Sequence, residues 1–441
     1  MKKRATIAIV LALIVMNLAS YAQAPTVSEK KDVAILSLGY YGWIIPLEAL
    51  GSIDSGIQRV FSDLGRFNVI GMTQRLSSAD LGEFVAAIKK DKASSFVMPD
   101  KYRFGEATFT EGDYNRILGS FLVAVPIITT FNSSYSSSGG RWETRLDTEV
   151  TFIDVAAGGS VVGVARVSTT GTDKENQLKS VSGAIDAIPS QLQYEIRSIP
   201  AFQINTRILS VSGGEVRLQL GANMGLKKGD EYSVIVTSSL EGLRDEREAG
   251  LILIREVGPE ISTATILYGG KAMAKDAQLR EIPRVGTDVE LFLRYLDGPG
   301  RVHFMPGLRA VPSRGFYGLR PYASVAIPLG VQASALGISV DVLPINVVVG
   351  GQFDLHLGRL TLAPYAGIGI AYIYSIEGLT VDTSKNYFPF LGGQAGFQAS
   401  WLVSRDMRVF VEGGAEYWLA TNDLFSSYGG ISAGAGVSWK L

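Results

Sequence analysis

The sequence predicts a multidomain chain: an α/β domain, a small all-β domain, and a carboxyl-terminal antiparallel transmembrane β-barrel of about eight strands. Two observations carry most of that expectation. From Arg301 onward, about eight segments alternate apolar residues with small or polar ones, the period-two pattern of strands with two unlike faces. The 441 residues also include 50 glycines and only 19% charged residues, yet past the amino terminus no run of about 18 apolar residues could form a membrane helix. A strand barrel satisfies both, because it disperses its apolar residues at every second position.

The chain opens on Met1, Lys2, Lys3 and Arg4, continues apolar from Ala5 to Leu18, and reaches Ala22-Gln23-Ala24. A basic start, an apolar middle and a small-residue cleavage site make residues 1–24 a signal peptide, with Pro25 expected as the first mature residue. With no cysteine anywhere, the chain can carry neither acyl-cysteine anchors nor disulfides. Its 41 basic and 42 acidic residues nearly balance, which leaves no electrostatic footprint for nucleic acid.

Residues 25–200 read as the α/β domain. Val33-Ala34-Ile35-Leu36 is a buried strand, followed by a helix from Ile53 to Leu64 and a strand Phe67 to Ile70. A second helix opens at Ser78 or Asp80 and ends near Lys90, and Ser95 to Met98 is a short strand. Antiparallel segments are expected at about 120–134, 142–155 and 160–169, then a closing helix from Lys174 to Arg197. Residues 201–297 form the small β domain. There Gly221 and Gly225 punctuate a turn, Lys227 to Asp230 makes a hairpin tip before the strand Glu231 to Val236, and the charged stretch Glu241 to Glu248 is a solvated loop. Asp297-Gly298-Pro299-Gly300 reads as a linker into the barrel, residues 298–441.

Within the barrel, Phe304, Leu308 and Ala310 oppose His303 and Arg309, while Leu319, Ala323 and Val325 oppose Arg320, Tyr322 and Ser324. A third strand holds Leu336 to Val342. A fourth sets Ile345, Val347, Val349 and Phe353 against Asn346, Gln352, Asp354 and His356. Ile368, Ile370, Tyr372 and Tyr374 share the outer face of a fifth. Gln394 and Gln398, then Arg408, Glu412 and Glu416, then Ser432 and Lys440 mark the inner faces of the last three. The connections Leu357 to Arg359 and Ser404 to Asp406 are tight, whereas Glu377 to Tyr387 and Thr421 to Ser427 are long, the alternation expected of outer-membrane barrels. Trp401 and Trp439 then fall at one interface, with Tyr372, Tyr374 and Tyr417 at the other. A soluble antiparallel barrel or sandwich alternates in the same way. Against it, the charged parity is crowded with Gly and Ser, which suits the interior of a small barrel.

Three resemblances accompany these readings. The phrases LGRFNVIGM (Leu64 to Met72) and TFIDVAAGGSVV (Thr151 to Val162) resemble the amino-terminal domain shared by TolB and CsgG, which implies a periplasmic binding or assembly module without catalytic residues. Ile208 to Ile235 is similar to the carboxyl-terminal domain of FlgT. The barrel resembles small OmpA- or OmpX-type barrels, although its last residue is Leu441 where such strands usually close on Phe or Tyr.

No catalytic, cofactor-binding or metal residue is expected. The two histidines, His303 and His356, are both expected on the inner face near the periplasmic end, and no His or Cys lies between Pro25 and Arg301 to build a triad or a zinc site. Glu412 and Glu416 are expected to pair with Arg309, Arg320 or Arg408 and not to act as an acid/base couple. The glycine doublets Gly392-Gly393 and Gly413-Gly414 lie in strands with no following helix, so they serve packing and not phosphate binding. The function expected is that of a non-enzymatic envelope protein anchored in the outer membrane, with its modules in the periplasm. Its expected partners are outer-membrane lipid, the barrel-assembly machinery, and a periplasmic envelope, flagellar or secretion protein. A narrow export channel and a soluble periplasmic binding protein stand as alternatives.

Overall fold

In a computed structural model, the described residues are 27–40, 45–77, 79–93, 101–104, 107–240, 243–298, 301–315, 318–335, 338–376, 390–421 and 426–441. The expected signal peptide and the expected strand Ser95 to Met98 lie outside them. The chain is mostly β, with two closed barrels and few helices.

Near the amino terminus a five-stranded sheet runs in the order Phe67–Arg75, Lys31–Ser37, Leu122–Ser136, Arg141–Asp154, Ser160–Asp173. Its first two pairings are parallel and its last two antiparallel. Val33 and Ile35 pack under the helices Leu47–Leu64 and Ile188–Ser198, while Ala34 and Leu36 face a second core built from Phe84, Tyr114 and Ile117. Burial on both faces explains the unbroken apolar run Val33 to Leu36. The single closing helix expected from Lys174 to Arg197 is instead two, Gln177–Asp186 and Ile188–Ser198. Pro189 causes the break, since it lacks an N–H and fits only the first turn of the second helix. A further helix, Glu111–Gly119, was not anticipated; a reciprocal capping box between Thr110 and Asp113 opens it.

Next comes a closed six-stranded antiparallel barrel in the order Glu231–Leu240, Leu243–Val257, Ser262–Tyr268, Glu215–Leu218, Asn205–Ser212, Gln278–Ile282. Its centre is apolar, formed by Ile208, Leu218, Val234, Ile252, Ile254 and Leu279. The charged stretch read as a loop is part of a strand: Asp245, Glu246 and Arg247 pair opposite Ser238, Thr237 and Val236. Exposed charges are compatible with a hairpin arm that has water on both sides.

The carboxyl-terminal sheet closes into a barrel through pairing of its first strand with its last and of Ile338–Phe353 with Leu360–Ile376. Its eight members are Thr287–Gly298, Arg301–Pro312, Leu319–Ala326 continued by Val331–Ala335, Ile338–Phe353 continued by Leu355–Leu357, Leu360–Ile376, Phe390–Leu402, Met407–Ala420 and Tyr428–Lys440. The strand count agrees with expectation, but its composition differs at two places. Thr287–Gly298, read as the end of the preceding domain, is the first barrel strand, paired to Arg301–Pro312 from Thr287↔Pro312 to Gly298↔Arg301. Hairpin turns and linkers draw on the same Asp, Gly and Pro, and Asp297 and Gly298 of the expected linker pair with Val302 and Arg301 instead. Conversely, the two strands expected at Leu336 to Val342 and Ile345 to Gly358 are one, with Pro344 absorbed at an irregularity where the register shifts between Leu343 and Pro344.

All of the globular part is joined to one end of this barrel, the end with the short turns at Gly358 and Arg405. Between the α/β region and the six-stranded barrel, Gly65 (φ 67°) meets Gly225 (φ 75°); a Cβ on Gly225 would lie 1.9 Å from the Leu64 carbonyl oxygen. Neither position has room for a side chain or a backbone conformation that favours one.

Candidate functional site

The barrel strands present two faces of opposite character. Outward lie Leu291, Leu293, Phe304, Leu308, Val349, Ile368, Val411, Leu419 and Ile431, with Ile368 73% and Ile431 74% exposed. Inward, and buried, lie Glu290, Arg294, Arg309, Gln394, Gln398, Glu412 and Glu416. Exposed apolar residues on every strand of a closed barrel form a continuous belt, far beyond the isolated apolar residues of an ordinary wet surface. Aromatic residues rim it: Trp401, Trp439 and Phe353 toward the short-turn end, Tyr295, Phe304 and Tyr417 toward the other. Tyr372 lies with the second group but is partly buried, and the Tyr374 side chain is outside the described residues.

The interior is held by a connected polar network. Glu290 sits directly opposite Arg309 in the register and accepts from it at 2.9 Å. Glu412 accepts from Arg309 at 2.8 Å and from Arg294 at 2.5 Å. Arg294 and Glu412 belong to strands separated by the last strand, whose residue between them is Gly434. A Cβ there would stand 2.9 Å from the Arg294 Cγ, so the bare glycine is what lets the two charges meet. Arg294 also donates to Gln394 and to Glu416, and Glu416 accepts from Trp418 Nε1 at 2.8 Å. The Arg309 guanidinium lies 5.2 to 5.4 Å from the ring centres of Phe292, Tyr322 and Tyr365. Toward the far end the filling becomes apolar, with Leu296, Met305, Phe390, Trp418 and Tyr428 packed together.

Glu412 does pair with Arg309, but Glu412 and Glu416 share Arg294, which no sequence reading had placed in the barrel. Arg320 instead binds Asp288 at 2.6 Å and Asp354 at 2.5 Å. Asp288, Glu290 and Arg294 fall outside the expected interior for one reason: the expected boundary at residue 298 leaves the first barrel strand in the preceding domain. Its alternation of Asp288, Glu290, Phe292 and Arg294 with Val289, Leu291 and Leu293 was the signal that could have found it.

That displaced strand also reverses the direction of Arg301–Pro312, and with it the position of His303. The two histidines lie at opposite ends of the barrel, not both near the short turns. His303 is near the far end, with Nδ1 3.1 Å from the Leu329 carbonyl and its ring beside Tyr428. His356 is at the short-turn end, with Nδ1 2.9 Å from Thr361 Oγ1. Among the described residues, no group of three or more His, Cys, Asp or Glu could hold a metal ion.

At the short-turn end, buried ion pairs fasten the three parts of the chain to one another. Glu281, on the last strand of the six-stranded barrel, accepts two bonds from Arg66, at 2.7 and 3.0 Å, and one from Arg197 at 2.6 Å. Burial pushes its carboxyl up, but the Arg66 and Arg197 charges and the Ile204 N–H outweigh burial and hold it below its ordinary value. Arg197 and Arg314 meet at Asp230, at 3.5 and 2.7 Å. Next to it Glu231 binds Lys440, on the last barrel strand, and Arg284 at 2.8 Å, while Arg284 reaches Asp406 at 2.6 Å. Burial again opposes these charges at Glu231, and its carboxyl is likewise lowered, by Lys440 first and then Arg284.

No known family and no curated protein sequence matches this chain. Similar solved structures include Neisserial surface protein A, 16% identical, covering 35% of this chain and 97% of that one at a TM-score of 0.28. A major outer membrane protein from Thermus thermophilus is 10% identical over 35% of this chain and 99% of its own, with a TM-score of 0.23. A lipoprotein from Neisseria meningitidis is 12% identical over 37% and 97%, with a TM-score of 0.21. The character of the barrel therefore rests on its own strand pairing, exposed belt and polar interior.

Proposed function

We propose that this chain is a non-enzymatic outer-membrane protein whose eight-stranded barrel anchors it, while the α/β and six-stranded modules stand beneath it in the periplasm to hold an envelope partner. The observation that carries this reading is the inversion of the large barrel, apolar outside and charged within. In water such a surface would aggregate, whereas hydrocarbon is its natural solvent. The side assignment is supported by the longest connections, Ile376 to Phe390 and Ala420 to Tyr428, which lie at the end away from the described globular part, as in barrels whose longer loops face outward; two connections at that same end, Gly298 to Arg301 and Ala335 to Ile338, are tight. The export signal read in residues 1–24 is consistent with it.

The partner class is drawn from the resemblances, TolB- and CsgG-like for the α/β module and FlgT-like for the small barrel. Both imply binding or assembly in the envelope, of a flagellar or secretion component among others. Outer-membrane lipid and the barrel-assembly machinery are the remaining partners, and nucleic acid is not one. The channel alternative is disfavoured because the interior is filled, by the Arg294, Arg309 and Glu412 network in the middle and by Phe390, Trp418 and Tyr428 above it.

Fractionation tests the anchor. Full-length chain should stay in washed outer membranes, and a chain ended at Arg284, before the first barrel strand, should appear in the soluble periplasmic fraction. Retention of the shortened chain in the washed membranes would sink the anchoring role. In planar bilayers the purified protein should be electrically silent.

A further inference from the structure

At the short-turn mouth of the eight-stranded barrel, where the six-stranded barrel docks, lies a cavity of about 190 Å³. Its charged wall is unbalanced. Arg284 and Lys440 are matched by Glu231, Arg320 by Asp288 and Asp354, and Arg314 by Asp230. Three further cations line the same space, Arg408, Arg255 and Lys228, and among the described residues the side chain of none of them makes an ion pair or a hydrogen bond; the Arg408 charge reaches Glu231 and Asp354 only at longer range.

Arg408 is the informative one. It projects from the inner face of Met407–Ala420, is only 8% exposed, and its Nε is buried without a hydrogen-bond acceptor. An arginine carries five N–H donors and cannot shed its charge, so a buried and unpaired one is costly unless something anionic occupies the space before it. Among the described residues the other interior arginines of this barrel, Arg294, Arg309 and Arg320, have two carboxylates each. The fork of a guanidinium matches two oxygens of a phosphate, and the half-buried Arg255 and exposed Lys228 reach the same cavity from the six-stranded barrel.

We propose that this cavity binds a phosphate-class oxyanion, with Arg408 as its floor and Arg255 and Lys228 closing over it from the docked module. The site bridges the two barrels, so its ligand completes the charge balance of their junction. It does not depend on which partner the globular modules hold.

The test is calorimetric titration of the full-length protein in neutral detergent at fixed ionic strength. Inorganic phosphate is one probe, and glycerophosphoglycerol, the deacylated headgroup of phosphatidylglycerol, is the other. Saturable binding of inorganic phosphate alone assigns a free oxyanion, and tighter binding of the headgroup assigns a lipid. In either arm Arg408→Gln should weaken binding by about tenfold or more, and Arg255→Gln by a smaller factor. Arg166→Gln, on the distant α/β sheet, should leave it unchanged. Should Arg408→Gln fail to fold, Arg255→Gln carries the test by itself. Absence of saturable binding in both arms overturns the proposal. So does binding that is the same in the wild type and in the folded cavity variants.

Discussion

The two barrels in this chain are built alike and filled oppositely. Both are closed and antiparallel, and both set an inner face against an outer one. In the six-stranded barrel Val216, Leu218, Ile252 and Leu279 point in and charges such as Glu215 and Arg217 point out to water. In the eight-stranded barrel Arg294, Arg309, Glu412 and Glu416 point in and Ile368, Val411 and Ile431 point out. Closure satisfies the backbone in either case, so what separates them is the solvent each outer face has been matched to.

The comparison breaks most readily at the centre of the large barrel. Glu412→Leu leaves Arg294 and Arg309 buried with weakened pairing, and should cost about 3–5 kcal/mol in reversible denaturation from lipid vesicles. In the small barrel the corresponding change is a cavity: Ile252→Ala should cost about 2–5 kcal/mol, read from loss of the module's protection against hydrogen exchange. Ile368→Arg sharpens the contrast of outer faces. It should destabilise the protein in a bilayer by about 2–4 kcal/mol, whereas a water-facing position would change stability by less than about 0.5 kcal/mol.

The smallest effect concerns the junction. Glu281 and Glu231 have carboxyls held below their ordinary values, so their contribution is fully present above the unfolded value and is lost as pH falls through the lowered one. The modules should therefore remain docked at neutral pH and loosen only below about pH 4, visible as new proteolytic cleavage near Pro283. Glu281→Gln should weaken docking at neutral pH and flatten that dependence.

Much of this was legible in residue order. The parity of each described barrel segment was readable because alternation needs only neighbours in sequence: Gln394 and Gln398 against Phe397 and Trp401, Glu412 and Glu416 against Val411 and Tyr417. Segmentation was harder. Asp297-Gly298 has the composition of a linker whether it joins modules or ends a hairpin, and Pro344 resembles a strand end until a partner strand is seen to shift around it. One misplaced strand then moved His303 to the wrong end and hid Arg294, Glu290 and Asp288. The ion pairs Arg66–Glu281 and Lys440–Glu231 join residues more than two hundred positions apart, and no local pattern announces them.

The central claim is that the apolar-faced barrel crosses a membrane with the globular part on its inner side. The chain has no cysteine, so single cysteines can be placed at will. Ser426 is exposed at the far end of the barrel and Ser238 on the hairpin arm of the small one. On intact cells treated with a membrane-impermeant maleimide, Ser426→Cys should be labelled and Ser238→Cys should be labelled only after the outer membrane is opened. Protection of both until that step, or labelling of both before it, would contradict the account.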